Sequence, residues 1–348
     1  MKFSDEMDSA AADASEPYWK RHLAAFVAQL ERMPWLLPLI SFGWGWLSFV
    51  LVKRGEDLAR LMALLAFAGW PWLLIAPFIQ KYLSKRAPDK LTELALNFVT
   101  QSLQQELLFF SLPFIIGATQ LDAGQIIFAA TVIIAALIST IDPLYNRRIA
   151  SSPIVNLAFH GYCSWLAALV VLPMVVHLPL ERALPAALAF AIAWFVITLP
   201  RSLRALPNTR QRVLWIAACL SIPAAIWLLR GNIPAAGLSV REARITQSIT
   251  DLTPGDPVDT INSADLDRGV IAFTAIHAPM GVAQLLIFEW RHQDSVERIS
   301  AVIQGGNHSG WRTWSRKQRF PQDAQGDWTV DVLTPQGQLL KRLHFRVQ

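Results

Sequence analysis

Charge is scarce in this chain: Asp, Glu, Lys and Arg make up 16% of its 348 residues, against 53% apolar residues and a mean hydropathy of +0.34. Soluble domains average about 25% charged residues, so the shortage excludes an ordinary water-soluble globule and predicts a polytopic membrane protein. Cysteine is nearly missing. Cys163 and Cys219 both fall inside apolar runs, so the C-terminal segment has no thiol and cannot be stapled by disulfides. His160 and Cys163 stand three apart on one helix, but no second His or Cys pair with ligand spacing joins them, and no metal site is expected. The chain also lacks a nucleophile elbow, a phosphate loop, a paired-carboxylate constellation and an internal repeat. Neither a catalytic residue nor a cofactor is assigned.

Long apolar runs are what it has instead. Seven of them can each cross roughly 30 Å of hydrocarbon at about 1.5 Å per helical residue: Trp35–Val52, Leu61–Ile79, Leu94 or Leu103 to Ala118, Ala123–Ile141, Pro153–His177, Leu184–Leu199 and Val213–Leu229. With the N-terminus inside, the inner segments hold 14 Lys or Arg and the outer loops 4. That asymmetry sets the expected orientation, with everything after Leu229 exported. The acidic first sixteen residues have no apolar core, so no cleavable signal peptide is expected and the first span serves as the insertion signal. Residues 1–34 read as a cytoplasmic tail plus an interfacial helix carrying Trp19, Leu23, Phe26, Val27 and Leu30, and 35–230 as the membrane bundle.

From Gly231 the composition turns polar, and short alternating runs replace the apolar ones. Residues 231–239 read as a linker and 240–348 as a periplasmic β domain. Strands are expected at Val240–Thr246, Gly269–Ile276, Val282–Arg291, Ile299–Ile303, Gly310–Lys317, Trp328–Thr334 and Leu339–Val347, with Ser248–Asp267 as loop. Seven short strands with turn signals every ten residues or so point to an immunoglobulin-like sandwich, with a small barrel as the alternative. Residues 231–348 carry twelve basic and twelve acidic side chains. A neutral exported domain excludes a nucleic-acid partner.

GWRTWSRK (310–317), GDWTVDV (326–332), the PQGQLL turn (335–340) and LHFRV (343–347), with FEWRH (288–292) upstream, resemble the C-terminal extracytoplasmic domain of an uncharacterised family of bacterial membrane proteins. The resemblance covers about the last hundred residues and implies a bacterial inner membrane as the location. It brings no activity with it.

Two sets of residues are candidates for function. In the exported domain, Arg312, Trp314, Arg316, Lys317 and Arg319 make a local basic patch. Alternation along a strand puts Arg312, Trp314 and Arg316 on one side and Trp311, Thr313, Ser315 and Lys317 on the other. Three readings stand: Trp311 in the core with Trp314 in a structural arginine stack, Trp314 in the core, or an Arg-Trp-Arg ligand face. In the bundle the polar candidates are Gln101, Gln104, Gln105, Glu106 and His160. Glu106 reads as a mid-membrane site, as an interhelical hydrogen-bonding group, or as an interface residue at the end of a surface helix. The expected function is non-enzymatic. The bundle would present a sandwich that binds an envelope glycan, an anionic lipid head group or an envelope protein. The alternative is a transporter or lipid-modifying enzyme using Glu106 and His160. The bilayer is the one partner the composition itself demands.

Overall fold

The computed structural model describes Gly43 and residues 69–86, 88–121, 124–175, 178–278, 283–305 and 309–348. The chain divides into the compact units Met1–Trp44 and Gly45–Gln348, and the elements below all belong to the second. The interfacial helix, the first expected span apart from Gly43, and His177 lie outside the described residues.

Helices come first: α1 (Trp72–Leu83), α2 (Asp89–Ala118), α3 (Gln125–Thr140), α4 (Asp142–Tyr145, continuing through a π-helical turn at Asn146–Ala150), α5 (Pro153–Val175), α6 (Leu180–Ala205) and α7 (Thr209–Leu228). Seven spans were expected; the first, apart from Gly43, and residues 61–68 of the second lie outside the described residues. Among the described residues three helices, α5, α6 and α7, are long and apolar enough to cross a membrane, or four if α3 and α4 form one span bent by 100°. Of the expected span at Leu61–Ile79 the described part is a turn at Gly69–Pro71 and the start of the 12-residue α1, which is about 18 Å long. The third expected span is one unbroken 30-residue helix from Asp89. Its first half carries Asp89, Lys90, Glu93 and the glutamines, too polar to count as a span.

Helices α5, α6, α2 and α3 share one core that includes Leu107, Phe110, Val132, Leu166, Val170, Leu184 and Leu188. Gly161 lets α5 and α6 approach: a Cβ there would lie 2.7 Å from Cδ1 of Trp194. Trp194 is fully buried and donates from Nε1 to the Leu157 carbonyl at 3.2 Å. By contrast α7 is exposed along most of its length, with Leu214, Leu220 and Leu228 open. An apolar helix bare on most sides has the surface of one that faces lipid.

The C-terminal part is β-rich, and all seven expected strands are present within a few residues of their expected ends. They are β1 (Ser239–Thr246), β5 (Val270–His277), β6 (Ala283–His292), β7 (Ser295–Gln304), β8 (Trp311–Lys317), β9 (Gly326–Leu333) and β10 (Leu339–Val347). The expected loop 248–267 adds the short strands β2 (Ile249–Thr250), β3 (Thr253–Pro254) and β4 (Thr260–Ile261). One sheet runs β1-β5-β8, a second β4-β10-β9-β6-β7, with β4 parallel to β10, and β2 and β3 pair as a two-stranded ribbon. Period-2 alternation turns Leu286, Phe288 and Trp290 of β6 and Val330 and Val332 of β9 into one core with Val270, Ala272 and Ile276 of β5. Trp290 ties the sheets together, donating from Nε1 to Ser315 Oγ at 3.0 Å.

Residues 231–239 do more than link. Ile233 and Ala236 belong to the helical core while Ala235 and Leu238 belong to the β core, all of them at most 2% exposed. Around them, Gln125 at the start of α3 donates to the carbonyls of Gly231 (3.3 Å) and Leu339 (2.8 Å). Arg230 donates to Gln336 O at 2.6 Å, and Gln338 reaches back to Ile233 O at 3.2 Å. The β9–β10 turn is thus fastened to the end of the bundle where α3 begins and α7 finishes.

Candidate functional site

Four side chains form a row across the outer face of the larger sheet. Register places Arg298 of β7 opposite Glu289 of β6, Glu289 opposite Asp331 of β9, and Asp331 opposite Arg342 of β10. Each carboxylate is 1% exposed. Burial makes charge pairing obligatory. Arg342 meets Asp331 with both prongs, at 2.6 and 2.8 Å. Glu289 receives two guanidiniums, Arg291 from two positions along its own strand and Arg298 from the neighbouring one. Burial alone would raise the Glu289 carboxyl, but the hydrogen bonds and positive charges of Arg298 and Arg291 outweigh it and hold the group below its ordinary 4.5.

This row is the floor of a cavity of about 350 Å³. Gly231, Asn232, Leu333, Gly337 and Leu339 make the remaining walls, so the cavity lies at the junction between the bundle and the β-rich part. It falls within the size range of small-ligand sites. Its charged lining comprises three arginines and two carboxylates, a surplus of one positive charge, with Arg291 standing between Glu289 and Asp331.

Sequence reasoning missed this site. Its signal was present: Glu289 and Arg291 lie in FEWRH and Asp331 in GDWTVDV, charged residues at the outward positions of otherwise apolar strands. What could not be read was the register that sets them side by side.

The expected patch on β8 is dispersed by the fold. Thr313, Ser315 and Lys317 face inward, while Arg312, Trp314 and Arg316 face out. Lys317 pairs with Glu297, and its Nζ lies 5.6 Å from the centre of the Trp328 ring, so the charge is built into the edge of the core. Arg312 donates to the Leu252 carbonyl at 3.3 Å and Arg316 to the Arg268 carbonyl at 2.7 Å. Among the described residues no cation stacks on Trp314; the stacked rings are Tyr82, Trp227, Phe320 and Trp328. Arg319 is exposed. Trp311, which one of the three readings put in the core, is 36% exposed at the first position of β8, opposite the buried Ile276. Trp290 and Trp328 fill the interior instead, with Trp328 stacked on His292 at 4.4 Å.

The bundle's polar residues divide among three places. Gln101 and Gln105 both donate to the Ser139 carbonyl, at 2.9 and 2.7 Å, satisfying a backbone group that the end of α3 leaves unpaired. Gln101 also donates to Asp142 at 2.8 Å across the bend. Gln104 donates to Asn156 and accepts from Tyr145, both at 2.8 Å. His160 lies apart, with Nε2 3.0 Å from the Trp70 carbonyl and its ring against Trp194. Glu106 is half-buried on the unbroken α2, so a surface helix ending before it is not what forms. Glu106 and His160 are on different elements, α2 and α5, and the three glutamines hold helices together. Among the described residues no group of three His, Cys, Asp or Glu is placed to hold a metal.

A family model of unknown function, DUF5924, matches residues 16–272, well over half of the chain. The chain belongs to the DUF5924 family. A second model, described as a protein of unknown function, DUF2914, matches residues 283–347. No curated protein and no solved structure matches the chain. The DUF5924 match ends inside β5 and the DUF2914 match begins at β6, so the two models divide a single folded β unit. The DUF2914 part supplies every charged residue of the cavity, and the DUF5924 part supplies its Gly231 and Asn232 wall.

Proposed function

We propose that this DUF5924 chain is a multi-pass protein of a bacterial inner membrane with its C-terminal β unit in the periplasm, and that the β unit binds a component of the cell envelope without catalysing a reaction. The observation that carries the reading is the cavity between Arg298, Glu289, Asp331, Arg342 and the Gly231–Asn232 wall. It is a charged, ligand-sized recess to which both halves of the chain contribute walls.

Other features support the same reading. The Lys and Arg asymmetry favours an exported C-terminus. Docking of the β unit beside the start of α3 and the end of α7 agrees with that orientation, which puts both on the outer side. The strand order β1-β5-β8 over β4-β10-β9-β6-β7, with a buried Trp290 on β6, supports an immunoglobulin-like sandwich. The outer face of β8 is the weaker ligand site, since Arg312 and Arg316 already donate to backbone carbonyls. A transport or lipid-modifying centre at Glu106 and His160 has less behind it, because the glutamines around Glu106 are engaged between helices and His160 packs against Trp194.

Two measurements test the proposal. Reporter fusions after Leu229 should be active on the periplasmic side, and a cytoplasmic signal would overturn it. Photocrosslinkers at Arg298 and Asn232 of the full chain should capture an envelope component; capture of none from intact cells would count against binding.

A further inference from the structure

We infer that the junction cavity holds the phosphate-bearing head group of an anionic phospholipid whose acyl chains lie along α7. The inference rests on the membrane reading above and names the ligand class of the same site.

Position comes first. Helix α7 is 20 residues long, about 30 Å, which equals the thickness of a hydrocarbon core. It begins Thr209-Arg210-Gln211-Arg212 and ends beside Trp227 and Arg230, whose guanidinium sits 5.2 Å from the centre of the Trp227 ring. Basic residues at the inner end and an aromatic at the outer end are how a span is anchored at both interfaces. Gly231 follows Leu228 by three residues through a 3₁₀ turn, a rise of about 6 Å. Polar head groups occupy roughly the first 5–8 Å outside the hydrocarbon. The cavity wall at Gly231 and Asn232 therefore lies in the head-group layer.

Charge comes second. Three guanidiniums, of Arg291, Arg298 and Arg342, line the cavity against the two carboxylates of Glu289 and Asp331, a surplus of one positive charge; Arg298 pairs with Glu289, Arg342 with Asp331, and Arg291 pairs with Glu289 and lies 3.9 Å from Asp331. The side chains of Arg291 and Arg298 are 48% and 69% exposed, so each keeps donors directed away from Glu289. A guanidinium fork suits phosphate oxygens. Glu289 holds both forks in place without neutralising them. The hydrocarbon surface comes third. Leu214, Leu220, Leu228 and Leu229 are all more than half exposed, so apolar surface is open along α7 up to the residues that precede Gly231.

The full chain in detergent micelles, titrated with short-chain phosphatidylglycerol or phosphatidylcholine and read by native mass spectrometry, tests this. Phosphatidylglycerol should bind about tenfold more tightly, the value of one charge-assisted hydrogen bond. Arg298→Gln should abolish that preference and Arg298→Lys should keep most of it. Arg346→Gln, which breaks the exposed pair with Asp327 on the same sheet, should leave it unchanged. Asn232→Asp adds one negative charge to the wall without touching the ion pairs, so it reproduces the loss even if Arg298→Gln unfolds. Equal binding of the two lipids, or a preference that survives both Arg298→Gln and Asn232→Asp, overturns the inference. So does inorganic phosphate that displaces phosphatidylglycerol at equal concentration, which would make free phosphate the ligand. If the lipids show no preference while the crosslinkers capture a periplasmic protein or glycan, the lipid inference falls and the proposed function stands. A cytoplasmic reporter signal brings down the proposed function itself.

Discussion

Glu289 and Asp331 face each other on neighbouring strands, both nearly inaccessible, and only the arginines around them make that tolerable. Removing one carboxylate takes its charge-assisted bonds from the guanidiniums around it, which costs about 2 kcal/mol. Asp331→Asn should therefore lower the unfolding free energy of the β unit by about that amount, measured by denaturant unfolding. The pH dependence has a definite sign. The folded Glu289 carboxyl lies below its ordinary 4.5, so its contribution is fully present above that pH and is lost as the pH falls through the lower folded value. Glu289→Gln should be less stable than the parent at neutral pH and should converge with it in acid; parallel pH profiles would mean that the arginines do not sense the carboxylate.

At the level of elements, two contacts decide how the helices sit. Gly161 is the point where α5 and α6 touch, and even a methyl group there meets the Trp194 ring at 2.7 Å. Gly161→Ala should cost about 1–3 kcal/mol through overpacking, seen as a lowered melting temperature of the detergent-solubilised chain. Gln101 and Gln105 close the end of α3 before the 100° bend into α4. The double replacement by leucine leaves the Ser139 carbonyl without a side-chain donor and should loosen that bend, which faster hydrogen exchange at residues 136–145 would report. If exchange there is unchanged, the glutamines serve some other purpose.

For the whole molecule, the sheet β1-β5-β8 draws two of its three strands from before residue 283, so the DUF2914 segment is not a complete folding unit. A fragment of residues 283–348 should show no cooperative unfolding transition, whereas 231–348, which retains Ala235, Leu238, β1 and β5, should show one by circular dichroism. The same reasoning explains the buried junction. Ile233 and Ala236 are gripped by the helices while Ala235 and Leu238 are gripped by the sheets, so the two halves are held together over nine residues of chain.

What the sequence determined by itself was periodic. Apolar runs announced α3, α5, α6 and α7, and two-residue alternation announced the seven long strands, because burial on one face must be written into the chain locally. That Thr313 and Ser315 share one side of β8 and Trp314 lies on the other was legible for the same reason; which side turns inward was not. Long-range matters were not. The break at Ile141 is local, because Pro143 has no N–H for the Ser139 carbonyl, but that Gln101 and Gln105, some 35 to 40 residues away, donate to that carbonyl is not written there. Above all, Arg298, Glu289, Asp331 and Arg342 are spread over four strands, and only strand register, which no local pattern specifies for outward-facing residues, brings them into one row beneath the end of the bundle.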